Sequence, residues 1–317
     1  MKKLLPLLAL VLVVAPARGG LAGGQPTALV TAETLNQLIA VNMPCGGIVR
    51  RLSMPADPEN VVATGFVAVV VSAKGHAVTL VGLPQLRVLH VFRNFTSPHI
   101  AAVTADNRYA YVTDDGSGRL VVIDLAGRRI VRSVVVGAGA HHMAISPGGD
   151  RLWIALGERA STVVVLDISK ETSPRVVARI HPAAAVHSLA FSPSGNVWLT
   201  SDTSSFVTIV DPSTYRTVAT IPAGSPPQHL AFVDYPGHQT AYVTSGNDGV
   251  LRILSTAGRL IRLVRIPTAS YNVETGGGFV LTSSLTRGTL TELDLNGRLV
   301  GQCQVAPTAR DAALIAR

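Results

Sequence analysis

Five of the nine histidines fall on two adjacent positions of one recurring sequence element. Aligned on Ala102, Ala144, Ala190 and Ala231, the element carries His99, His141, His187 and Gln228 three residues upstream. One step on stand Ile100, His142, Ser188 and His229. Neutral imidazole suits Zn, Cu, Fe or Ni, and three imidazoles with an open position make a Lewis-acid or redox centre. His99, His141 and His187 are therefore the candidate metal ligands, with Glu274 as a further ligand or as a partner behind one. Without a metal, the same groups with His142, Gln228, His229, Asn272 and Glu274 would line a polar ligand pocket. In a purely structural role they would cap strands or bond water. Successive strand residues face opposite sides, so the alternation rule expects the five imidazoles not to share one face.

The elements that must position these residues recur with a near-constant period. Short β-rich runs end at Asn42, Gly82, Asp124, Asp167, Asp211, Ser255 and Asp294, spaced 40, 42, 43, 44, 44 and 39 residues apart. Each sits in a larger unit: a strand such as MAISP, a second such as DRLWIALG, the run itself, then an Arg-led strand such as RVVARI. Gly, Asp, Asn, Ser and Pro fill the turns. Four strands at this period describe a β-propeller blade, and the reading is all-β with seven four-stranded antiparallel blades. After Asp294 only 23 residues remain, enough for one outer strand and the first strand of another unit. Residues 28–54 supply the strands that unit lacks, so both chain ends are expected to build the seventh blade and remove an open edge. Residues 28–317 then form a single domain. The first strand of every blade lines the channel, where Tyr271, Asn272 and Glu274 of blade six and Arg310 and Asp311 of blade seven join the histidines.

Two cysteines are too few for a disulfide-dense scaffold or a four-cysteine zinc site. This architecture places Cys303 in the outer strand of blade six and Cys45 in a turn of blade seven. That neighbourhood favours a disulfide across the closure over two free thiols. An oxidising compartment fits the N-terminus: Lys2 and Lys3, an apolar run over 4–14 and Ala15-Pro16-Ala17 read as a signal peptide over 1–17. The run is too short to span a bilayer, so no transmembrane span is expected after cleavage. A flexible lead-in follows at 18–27. A secreted or periplasmic address is the expectation.

Other chemistry finds little support. No G-x-S-x-G, Walker loop, H-E-x-x-H or C-x-x-C occurs. Asp114-Asp115 reads as a hairpin turn. The formal charge is +8, and arginines cluster at the starts of the outermost strands. There they discourage edge pairing, or they meet nucleic acid or an anionic wall polymer. Aromatics are only 5%, few for the stacking platforms of single-strand binders; Tyr111, Trp153, Trp198 and Tyr242 instead hold repeated positions suited to packing between blades.

The units also resemble the YVTN β-propeller repeat (YncE-like, surface-layer-type) in AYVTDDGSGRLVVIDLAGRRIVRSVVVG, WIALGERASTVVVLDI, FVTIVDPSTYRTVATIPAG and AYVTSGNDGVLRIL. The resemblance covers roughly residues 57–306 and implies an exported bacterial seven-bladed propeller. Blade one departs from it at VAVVVSAKG, and blade six is shortened around GGGFVLTSS. Because such repeats specify construction and not chemistry, the expectation is a binding or interaction scaffold for an unidentified protein or small molecule at the channel mouth. The alternative is a metal-dependent lyase, lactonase or oxidase-like enzyme using the histidines.

Overall fold

The computed structural model describes residues 26–235 and 238–315. The expected signal peptide at 1–17 and most of the lead-in lie outside the described residues, while Thr27 already belongs to a strand. Seven four-stranded antiparallel sheets make up the fold, with short three-ten turns as its only helical elements among the described residues. No helix there is long and apolar enough to cross a membrane.

Six blades take their strands in chain order, over residues 58–92, 98–135, 140–180, 189–222, 230–265 and 274–304. The seventh joins Ala312–Leu314, as its innermost strand, to Thr27–Ala32, Gln37–Asn42 and Ile48–Ser53. Its closing register sets Ala28, Leu29 and Val30 against Leu314, Ala313 and Ala312. Cys45 follows Gln37–Asn42 in blade seven, and Cys303 lies in the outermost strand of blade six, Leu299–Gln304. The two form a disulfide with their Cα atoms 5.8 Å apart.

Why these runs become buried strands is visible in blade one. Its middle strands, VAVVVS and AVTLVG, are buried at every position, and β-branched side chains pack well on a surface covered on both faces. The outermost strands alternate less and stay exposed, as in Ile48–Ser53. In every blade the pairing of that outer strand shifts register once, between Ala40 and Val41 in blade seven and between Val122 and Ile123 in blade two, for example. Such bulges increase twist and spoil the edge for foreign strands.

The core lies between blades. Seven apolar clusters each combine residues of two neighbouring blades; one joins Val69 and Leu80 of blade one to Val112 and Ile123 of blade two. An open row of seven blades has six such interfaces, so the seventh, joining Leu29 and Leu38 to Val61 and Val70, closes the ring. Tyr111, Trp153, Trp198 and Tyr242 are the bulkiest fully buried side chains. The Tyr111 hydroxyl donates to the Glu171 carbonyl of the next blade, and Tyr242 does the same to Leu295 at 2.7 Å.

Candidate metal centre

The innermost strands of blades two, three and five begin at Pro98, Ala140 and Leu230, and that of blade four at Leu189. All open toward one mouth of the channel. At this end the first two strands of a blade do not pair one to one. In blade three Ala140 pairs with Leu156 and Met143 with Ile154, so His141 and His142 together oppose the single residue Ala155. Blade two does the same, with His99 and Ile100 opposite Thr113. In blade four the His187 N–H donates to the Thr200 carbonyl and the Thr200 N–H to Ser188; in blade five Gln228 and His229 share Thr244 likewise.

This bulge overturns the expectation that five imidazoles could not share a face. Two residues opposite one suspend the period-2 alternation locally, and both His141 and His142 enter the cluster. Ring centroids lie 3.6 Å apart for His99 and His141, which stack nearly parallel at 11°. His142 stands 5.0 Å from His99, 4.7 Å from His141, 4.9 Å from His187 and 4.8 Å from His229.

Threonine holds the bulges. Thr113 Oγ1 accepts from the Ile100 N–H and donates at 2.7 Å to the His141 carbonyl of the next blade. Thr200 bonds Ser188 and the Gln228 carbonyl, and Thr244 bonds His229 and the Tyr271 carbonyl, in the same way. Each hydroxyl thus satisfies a buried carbonyl that the irregular ladder leaves over.

The mouth is a cavity of about 520 Å³, lined by His99, His141, His142, His187, Gln228, His229 and Asn272. Of the residues expected there, two are not in the lining: Asp311, buried with its Oδ2 accepting from Asn60 and the Val61 N–H, and Glu274. Glu274 occupies the position held by Ala102, Ala144, Ala190 and Ala231 in other blades, farther along the strand Glu274–Gly276. The structure adds groups that the sequence reading did not place: Glu59, Asp115, Glu158 and Asp202. Extending the alignment to blade one would have found Glu59, 40 residues before His99. Asp115, read as a turn residue, sits in the three-ten turn Asp115–Ser117; its neighbour Asp114 does the turn's bonding, accepting from the Thr96 and Ser97 N–H groups.

Three imidazoles have one nitrogen engaged outside the cluster. His99 Nδ1 meets Glu59 Oε2 at 3.2 Å, His141 Nδ1 meets Asp115 Oδ2 at 2.8 Å, and His187 Nδ1 meets the Glu158 carbonyl at 3.2 Å. An acceptor at Nδ1 fixes the N–H there and leaves Nε2 with its lone pair. His99 Nε2, His142 Nδ1 and Asp202 Oδ1 are buried with no hydrogen-bond partner. Burial, reinforced by the neighbouring imidazoles, pushes His141 down to about 4, against the pull of Asp115. Burial and adjacent rings also hold His142 and His229 well below the usual histidine range, and burial lowers His187. These imidazoles are accordingly neutral at pH 7, the form that binds metals. Glu59 is pushed up by burial, but the His99 hydrogen bond and Arg310 outweigh this and hold it low.

The ligand nitrogens gather as two triples, His99/His141/His142 and His142/His187/His229, each with its atoms within 4.8 Å of one another. His187 Nε2 and His229 Nε2 are 3.3 Å apart. Two nitrogens on one tetrahedral ion at ordinary Zn–N distances stand ~3.4 Å apart. Convergent imidazoles, half-buried to buried and partly orphaned, are a donor set that fits a divalent transition metal.

Comparison with known proteins supports the propeller and stops short of a family. The sequence model described as the cytochrome D1 heme domain matches residues 62–172, about a third of the chain, and the YVTN-repeat likeness is not confirmed. No curated protein matches the chain. Among solved structures, a functionally unknown protein from Desulfotomaculum acetoxidans is 13% identical with a TM-score of 0.78, covering 91% of this chain and 98% of its own. Apo AztD from Citrobacter koseri is 12% identical with a TM-score of 0.71, covering 91% and 97%. The dihydro-heme d1 dehydrogenase NirN in complex with DHE is 16% identical with a TM-score of 0.67, covering 93% and 67%. At these identities the likeness is one of fold.

Proposed function

We propose that the chain is an exported propeller scaffold that binds a divalent transition metal on the imidazoles at its channel mouth. One observation carries this reading. His99, His141 and His187 each give Nδ1 to an acceptor behind them and turn the other nitrogen toward the shared centre, the arrangement that orients histidine ligands in metal sites. Zinc and copper suit an all-imidazole set, and iron is the remaining candidate. A bound ion with an open position would supply Lewis-acid or redox chemistry, and the cavity is of a size that accepts a small molecule beside it. Export rests on the lysine-led apolar N-terminus.

Elemental analysis of the untagged protein after incubation with zinc and copper tests the reading, beside a His99/His141/His187 triple-alanine variant. Bound metal in the parent and its loss in a folded variant are expected. No metal in a folded parent overturns the reading and leaves a polar pocket for an organic or protein ligand.

A second reading, an iron tetrapyrrole held by one histidine, draws on the family match over 62–172, which spans His99, His141 and His142. The near-parallel stack of His99 on His141 and the edge contacts of His142 leave no gap between those rings for a flat macrocycle, which would have to lie in the open mouth beside them. A Soret band on titration with heme, lost in His142→Ala, would favour this second reading over the first.

A further inference from the structure

The five nitrogen donors do not converge on a point. They converge as two triples that share one residue, His142. Resting on the metal reading above, we propose that the mouth holds two ions, bridged by the His142 ring as an imidazolate.

The position of His142 singles it out. Its ring touches His99 and His141 on one side and His187 and His229 on the other. It is only 6% exposed, and its Nδ1 has no hydrogen-bond partner. The outer ligands have an arrangement that His142 lacks: His99, His141 and His187 each spend one nitrogen on an acceptor behind the cluster. An imidazole that faces ligands on both sides, with no acceptor of its own, has both nitrogens free for coordination. The bulge opposite Ala155 is what pushes this second histidine of blade three into the middle.

The surroundings are also doubled. Glu59 and Asp115 back the first triple. On the other side the Glu158 carbonyl backs His187, and Asp202 lines the cavity with Oδ1 unpartnered. The carboxylates Glu59, Asp115, Glu158 and Asp202 outnumber the nearby guanidiniums, Arg310 and the Arg159 that pairs with Asp202. That excess, together with the negative charge of the imidazolate, offsets most of the charge of two dications.

The step is a ligand exchange without electron transfer. The first ion takes the bare nitrogen of neutral His142. The second takes the other nitrogen, and the N–H proton leaves to solvent, so each ring nitrogen ends with one metal bond.

Copper(II) loading of the untagged protein tests this, with metal per chain read by elemental analysis and unpaired spins by low-temperature EPR. Two coppers per chain with an integrated signal well below two spins are expected, because a bridging imidazolate couples the two unpaired electrons. A His99→Ala/His141→Ala variant and a His187→Ala/His229→Ala variant should each hold one copper with its full single-spin signal. Zero copper in the folded parent sinks the metal reading and the bridge together. One copper per chain sinks the bridge alone and leaves the metal reading standing. Two coppers at full two-spin intensity show separate sites and also overturn the bridge. The parent measurement decides these outcomes even if a variant does not fold.

Discussion

Removing the Cys45–Cys303 disulfide tests how the ring stays closed. The bond links residues 258 apart in sequence, and cross-linking so long a loop removes much of the unfolded chain's freedom. In the chain-entropy account this amounts to about 5.5 kcal/mol at 25 °C. A domain of roughly 290 residues unfolds with an entropy of about 0.6 kcal/mol/K, so the corresponding fall in melting temperature is about 9 °C. Compaction of the denatured chain makes that a ceiling. The expected fall for Cys45→Ala/Cys303→Ala is therefore about 5–9 °C, by calorimetry, with a matching loss when the parent is reduced. The strand pairs of Ala312–Leu314 with Thr27–Ala32 and the interface of blades six and seven remain in the variant. It should fold and keep the metal binding proposed above, since the clustered histidines lie in blades two to five. A change below about 1 °C, with the bond shown to be absent, would refute the loop-entropy argument and leave closure to strand pairing and packing.

Further outcomes follow from single side chains. Asp115→Asn should lower metal affinity about 10-fold or more while the fold persists, because it weakens the acceptor that orients His141; an unchanged affinity by competition titration would remove Asp115 from the site. Thr113→Val keeps the shape but leaves the His141 carbonyl and the Ile100 N–H without their partner, at about 1–3 kcal/mol in urea unfolding; a neutral result would mean that the bulge holds itself. Glu274 reaches channel water, yet enclosure by the walls and the nearby Asp311 push its carboxyl up to about 8. The folded state then binds more protons than the unfolded one between pH 4.5 and 8, so stability drains as pH rises through that window. Glu274→Gln should match the parent at pH 4, gain on it up to pH 8 and stay level beyond; a pH-independent gap would refute the assignment.

The architecture was legible because it repeats. A period set by seven run-ending residues, the four-strand unit and the short C-terminal remainder led directly to the blade count and to the mixed seventh blade, and the cysteine neighbourhood followed from both. The histidines were legible as positions, since they hold equivalent places in successive units. Their convergence was not, because alternation is a rule for regular strands and the mouth is built from bulges. A bulge has no fixed residue type here: Thr113, Ala155, Thr200 and Thr244 all stand opposite one. Asp115 was hidden for a different reason, since two adjacent aspartates in a hairpin look alike until Asp114 is seen to make the turn. Glu274 was placed too near the mouth because spacing from Asn272 was read without the depth of the channel.

Three threonines at the mouth reach forward into the next unit. Thr113 of blade two reaches the carbonyl of His141 in blade three, Thr200 of blade four that of Gln228 in blade five, and Thr244 of blade five that of Tyr271 in blade six. In blades three, five and six, therefore, a unit contributes the side chain at the centre, but the unit before it anchors the backbone from which that side chain hangs. In a gene that grows by duplicating or shuffling units, identity and placement of a central residue are inherited from different copies. The unit of blade three or of blade five, moved intact to another place in the ring, would bring its histidines along and leave their anchorage behind.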